Sequence, residues 1–204
     1  GFRILLTYCN SSKPAEMAVD EIRDSGIDSV AVNCDVTDPR EVALLATHPW
    51  VIAGVEVLVI NHGRYDRVDA QELDFEHLRR TMSTNFEGAF LVWDTIKNSL
   101  TDDARICVIG SQLGTRGSPQ GADYSASKAA LAVWARSLAQ SFGTSRKRIN
   151  IVAPGFVDTD ILAGDSAEKR AARIQEVPLK RIGTPDDIAG TVSFLVSEDS
   201  KYIT

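Results

Sequence analysis

Five short, nearly unbroken apolar runs, rich in β-branched residues, constrain this chain more than any other feature. They occupy residues 2–8 (FRILLTY), 29–33 (SVAVN), 55–61 (VEVLVIN), 105–110 (RICVIG) and 148–153 (RINIVA). Runs that are apolar at successive positions suit strands covered on both faces, as in a parallel sheet. Stretches with helical periodicity separate and follow them, at 15–25, 39–47, 75–99, 124–142, 166–176 and 185–197. Pro39 directly after Asp38 reads as a first-turn proline behind a capping residue. Alternation of this kind predicts right-handed crossovers and an α/β, Rossmann-like doubly wound parallel sheet with helices on both faces.

With 204 residues and 44% apolar content, the chain can bury one sizeable core, and residues 1–204 are expected to form a single domain. A net charge of −6 without a basic run argues against nucleic acid as a partner. No apolar stretch reaches membrane-span length, and no amino-terminal signal pattern is present, so no membrane partner is expected. Cys9, Cys34 and Cys107 are odd in number and widely spaced, which favours buried reduced thiols over a disulfide or a metal site and implies a cytoplasmic protein.

In a sheet of this type ligands lie beyond the carboxyl ends of the strands. The polar and glycine-containing segments fall there: residues 8–13, 35–37, 61–63, 111–117 and 154–159. One of these ends carries Ser111, and a following helix carries Tyr124-Ser-Ala-Ser-Lys128. A phenol and an ammonium four residues apart lie on one helix face. A cation close to a tyrosine favours the phenolate and brings its pKa down toward the working range. With a hydroxyl from another segment, such a pair can protonate a carbonyl oxygen or deprotonate an alcohol.

Together these residues resemble the short-chain dehydrogenase/reductase family, and most closely its 3-oxoacyl-acyl-carrier-protein reductases. Ser111 stands thirteen residues before Tyr124, Asn85 occupies the family's asparagine position in the long helix (STNFEGAF), and Asn61-His62-Gly63 matches an Asn-Ala-Gly segment with His62 in place of alanine. Cys34-Asp35-Val36-Thr37 is similar to the adenine-side loop, Pro154-Gly155-Phe156-Val157-Asp158-Thr159 to the nicotinamide-side loop, and Arg181-Ile-Gly-Thr-Pro185 to a late family segment.

The resemblance implies a catalytic set of Asn85, Ser111, Tyr124 and Lys128. Tyr124 would be the general acid in reduction, with Lys128 lowering its pKa and holding the nicotinamide ribose. Ser111 would polarise the substrate carbonyl, and Asn85, through its backbone, would fix a water of a proton relay. It also implies that Asp35 and Val36 receive the adenine, that Asn61 and Gly63 let backbone approach the cofactor, and that Pro154, Gly155, Val157 and Thr159 meet the nicotinamide side. His62 reads as a local substitution. No metal is implied.

Tyr8 stands where a family member that prefers NAD(H) carries an acidic residue, and Cys9-Asn10-Ser11-Ser12-Lys13 follows. This segment has no carboxylate to repel a 2′-phosphate and offers amide, hydroxyl and ammonium donors, so Tyr8, Asn10 and Ser11 are expected to be cofactor-binding. NADP(H) is therefore the expected cofactor, with NAD(H) left open. A plain helix-capping turn would look the same.

The family's Thr-Gly-x-x-x-Gly-x-Gly signature is not found, and Gly1-Phe2-Arg3 resembles the start of the family's second strand. In the Rossmann order the first strand lies between the second and the fourth, so its absence is expected to divide the sheet into a pair and a trio of strands. The chain also stops at Lys201-Tyr-Ile-Thr204, where the family starts its last strand.

The implied reaction is NADPH-dependent reduction of a 3-oxoacyl thioester or related ketone, with acyl carrier protein a conceivable partner. Arg146-Lys147-Arg148 and Arg116 would suit an acidic carrier, or form a solvated loop, whereas Asp102 and Asp103 argue against one. Residues 162–176 are expected to form a substrate lid. The family habit is a homotetramer or homodimer, and Phe90, Trp93, Leu131, Trp134 and Leu138 could serve either an interface or the core. Two other classes stay open: a cofactor-binding regulator or scaffold, and an inactive fragment of the same fold.

Overall fold

A computed structural model describes residues 2–204; the first residue of the Gly1-Phe2-Arg3 resemblance lies outside them. All five expected strands form: β1 (Ile4–Tyr8), β2 (Ser29–Asn33), β3 (Val55–Ile60), β4 (Leu100–Ile109) and β5 (Arg148–Val152). They make two sheets, β1-β2 and β3-β4-β5, the pair and trio expected above. The β1–β2 and β4–β5 pairings are parallel, with Tyr8 opposite Asn33 and Arg105 opposite Arg148. Strand β4 starts five residues earlier than its apolar run, because its leading Thr-Asp-Asp segment carries exposed acids that conceal strand character.

Helices α1 (Ser12–Asp24), α2 (Pro39–Leu45), α3 (Pro49–Ile52), α4 (Phe75–Met82), α5 (Gly88–Ile96), α6 (Leu113–Arg116), α7 (Ala122–Ser141), α8 (Ala167–Glu176) and α9 (Pro185–Leu195) complete the described chain, with short 3₁₀ turns. Asp38 caps α2 by accepting from the Arg40 N–H, as the Asp38-Pro39 pair predicts. The stretch at 75–99 is not one α-helix. A π turn at Ser83–Glu87 interrupts it, and Asn85 sits in that turn. Single π turns inside helices are concentrated at functional sites.

Two compact units are distinguished. The first holds residues up to Glu56 together with Glu87–Thr101, and the second Val57–Phe86 with Asp102–Thr204. In the first, Cys34, Val42 and Leu45 form a core joined by Leu5, Val32, Leu91 and Val92. In the second, Ile106, Val108, Leu131 and Ile149 are among the deeply buried apolar side chains. The five aromatic and leucine positions left open above divide: Trp93 and Leu131 are core, Trp134 and Leu138 are half-buried, and Phe90 is exposed.

Two expectations are corrected. Cys9 is exposed rather than buried, whereas burial holds the Cys34 and Cys107 thiols up at about 11. Arg148 does not join a solvent-facing basic patch. It is buried, and its guanidinium donates to the carbonyls of Leu195, Ser197 and Ile203.

Candidate active site

In the second unit, the carboxyl ends of β3, β4 and β5 open into a cleft of about 740 Å³. Asn61 and Gly63 follow β3, Ser111 follows β4, and Pro154, Gly155, Val157 and Thr159 follow β5. All seven line the cleft with Tyr124 and Lys128 of α7. Ser111, placed by the last residues of β4, also accepts from the Leu113 N–H at 3.1 Å through its hydroxyl oxygen. That bond fixes the hydroxyl at the start of α6.

Tyr124 and Lys128 are both buried. The Lys128 ammonium donates to the Ile109 carbonyl at 2.8 Å and lies 5.8 Å from the centre of the Tyr124 ring. Burial brings its pKa down to about 8. The expectation that Lys128 draws the Tyr124 pKa down is not met. Burial raises the phenol above its ordinary value, a hydrogen bond with Ser111 opposes this, and Tyr65 adds to the rise. Desolvation outweighs the contact with Ser111.

Asn85 is fully buried behind the cleft. Its side-chain carbonyl accepts from the Arg64 N–H at 2.7 Å, and its amide donates to the Arg64 carbonyl and the Ser127 hydroxyl, both at 2.9 Å. It thus ties the π turn to the loop after β3 and to α7. The remaining expected residues, Tyr8, Asn10, Ser11, Asp35 and Val36, belong to the first unit. There the Asp35 carboxylate accepts from the Thr37 N–H and hydroxyl at 2.8 and 2.7 Å, and Val36 packs against the bare backbone of Gly88. Ser11 precedes α1 without a side-chain capping bond.

His62 is more than a bystander. Its Nε2 is buried without a hydrogen-bond partner in the described structure, and burial, reinforced by Lys128, brings its pKa down to about 4 against a bond to the Thr84 backbone that favours protonation. Between pH 6.5 and 4 the unfolded chain therefore binds the proton that the folded imidazole refuses, so stability falls as pH falls through that window. Unfolding midpoints in urea should show roughly 1–2 kcal/mol lost between pH 7 and 5, and a His62→Ala variant should lose less. Equal acid sensitivity in the variant would count against this assignment.

Several cleft residues were not legible as site residues. Tyr65 stacks on Tyr124, and Gln112 approaches Gly155. Asp165, with its side chain fully shielded, accepts from Arg67 and Arg173 at 2.6 Å each and pairs with Lys169 at 3.7 Å, while Arg67 also donates to the Ile161 carbonyl. Arg173 lies 4.4 Å from the Phe156 ring centre. This hub joins the expected lid segment to the loop after β3. No motif in the sequence marks it. Among the described residues no group of three His, Cys, Asp or Glu side chains is placed to hold a metal ion, and no helix is long and apolar enough to cross a membrane.

Comparison with known proteins gives the family and the fold. A family model described as enoyl-(acyl carrier protein) reductase matches residues 1–204. The chain is 37% identical over 176 residues to the 3-oxoacyl-(acyl-carrier-protein) reductase MabA of Mycobacterium bovis, covering 85% of this chain and 71% of that protein. A dehydrogenase/reductase from Sinorhizobium meliloti 1021 superposes with a TM-score of 0.93 at 32% identity, over 100% of this chain and 81% of that one. A short chain dehydrogenase from Burkholderia cenocepacia J2315, solved in complex with NADP, gives 0.92 at 29% identity, over 100% and 84%. The chain belongs to the short-chain dehydrogenase/reductase family of NAD(P)-dependent oxidoreductases, and within it is most like the 3-oxoacyl-acyl-carrier-protein reductases.

Proposed function

We propose that this protein reduces the 3-oxo group of an acyl thioester, presented by acyl carrier protein or a related carrier, to the alcohol, with NADPH as reductant. The observation that carries this reading is the convergence of Ser111, Tyr124 and Lys128 on one cleft. The cleft fits the nicotinamide end of the cofactor. A Cβ on Gly63 would come within 3.3 Å of the Lys128 ammonium, so bare backbone and a cation stand side by side, and Gly155, Val157 and Thr159 line the same space. Tyr8, Asn10, Ser11, Asp35 and Val36 are assigned to its adenosine end, where the lack of a carboxylate at Tyr8 favours the 2′-phosphate. The NADP complex of the Burkholderia relative supports this choice. Residues 1–204 are read as one Rossmann-type domain.

When bound, NADPH supplies the hydride that reaches the carbonyl carbon. Ser111 donates a hydrogen bond to the carbonyl oxygen and holds it beside Tyr124. Tyr124 gives its phenolic proton to that oxygen as charge develops there, leaving a phenolate. Its raised pKa keeps the phenol protonated at neutral pH, the state reduction requires. Lys128, still cationic at pH 7, stabilises the phenolate and passes a proton toward it. Asn85 holds the π turn, whose backbone would fix a water of the proton relay that leads from Lys128.

The decisive assay measures oxidation of NADPH and of NADH with a panel of 3-oxoacyl thioesters and simple ketones. Higher kcat/KM with NADPH and a thioester is expected. Equal or better use of NADH would overturn the cofactor assignment, and turnover of simple ketones alone would overturn the thioester assignment.

A further inference from the structure

Tyr65 lies in the loop after β3 and lines the cleft, yet no motif marks it and no step above uses it. Its ring centre is 4.4 Å from that of Tyr124, with the planes inclined by 30°. Its hydroxyl donates to the Gln120 carbonyl at 3.2 Å. Its edge fills the space beside Gly121 so closely that a Cβ there would come within 2.5 Å of Tyr65 Cε2. Gln120 and Gly121 directly precede α7, whose first turn carries Tyr124. The Arg67 guanidinium stands 5.8 Å from the ring centre. Tyr65 is therefore joined both to the general acid and to the backbone that launches it.

We propose that Tyr65 is a positioning residue for Tyr124: its ring fixes the orientation of the Tyr124 ring and shields the phenol from water, while its hydroxyl ties the loop after β3 to the start of α7. This rests on the assignment of Tyr124 as the general acid. The groups facing the phenol are Ser111 from the end of β4, Lys128 from α7, and Tyr65 with Arg67 behind it. Of these, Ser111 lowers the Tyr124 pKa, whereas burial and Tyr65 raise it. Aromatic pairs at this separation are favourable beyond their buried area, and small misplacement of a reacting group is costly to rate.

The test compares Tyr65→Leu, Tyr65→Phe and Gly121→Ala in the full chain. Two readouts are taken: kcat and KM with NADPH, and the ultraviolet tyrosinate titration of each variant with and without Tyr124→Phe, which isolates the ionisation of Tyr124. Tyr65→Leu should move that ionisation to lower pH and reduce kcat by about tenfold or more, with KM for NADPH changed less than about twofold. Gly121→Ala retains every hydroxyl but displaces the Tyr65 ring, and should act in the same direction. Tyr65→Phe keeps the stack and should lose less than Tyr65→Leu. An unmoved titration with kcat within about twofold of wild type in both Tyr65→Leu and Gly121→Ala would overturn the proposal. The titration needs no turnover, so a protein that reduces no carbonyl refutes the proposed function without deciding this one.

Discussion

Tyr124→Phe should lower kcat for carbonyl reduction by about 10²–10⁴-fold while leaving NADPH affinity close to wild type. The substitution keeps the ring, its stack on Tyr65 and its burial, and removes only the proton that the carbonyl oxygen must receive. Steady-state rates with a 3-oxoacyl thioester, beside cofactor titration by fluorescence, separate the two quantities. Activity that survives the change would exclude Tyr124 as the acid. The pH profile of the unmodified protein carries a linked expectation. Tyr124 stays protonated through neutrality, whereas Lys128 loses its charge as pH rises through about 8, so kcat should begin to fall near that value.

Gly114→Ala should be the most damaging single methyl in the site. At Gly114, α6 meets α7 so closely that a Cβ would stand 2.9 Å from the Lys128 carbonyl carbon, 3.0 Å from the Ala129 nitrogen and 3.1 Å from the Lys128 oxygen. All three are backbone atoms of a helix, so no side chain can swing away to relieve the overlap. Overpacking of this kind costs about 1–3 kcal/mol. In a domain of this size, thermal unfolding should then begin several degrees lower, by about 2–4 °C for each kcal/mol. Because the displaced backbone is that of Lys128 itself, kcat should drop in the folded fraction as well. An unchanged melting temperature would mean that α6 can move off α7 freely.

The strands were legible because their runs hold unbroken apolar stretches, at 4–6, 30–32, 57–60 and 106–109, with polar residues mostly at the ends. The approach of Ser111 to Tyr124 was legible as well, since strand-end and helix positions follow from that alternation. What escaped notice depended on depth and shape. Spacing places Lys128 one turn from Tyr124, but it does not say that the ammonium turns to the Ile109 carbonyl, or that burial outweighs it in setting the phenol. The break at Ser83–Glu87 has no breaker residue to announce it. Tyr65 and Asp165 act through partners distant in sequence, Gln120 and Arg67, so no local pattern marks them.

The hub around Asp165 has an electrostatic consequence. Of the charged side chains lining the cleft, Arg67, Arg116, Lys128, Lys169 and Arg173 are basic and Glu176 alone is acidic, and Asp165 pairs with Arg67, Lys169 and Arg173. A protein with a net charge of −6 thus presents a local positive field at this cleft. Such a field draws anionic molecules inward from a distance of about a Debye length, roughly 8–10 Å at physiological salt, and turns them toward the opening before any contact forms. Added salt shortens that reach, so capture of an anionic thioester should slow with ionic strength while the chemistry inside the cleft proceeds unchanged.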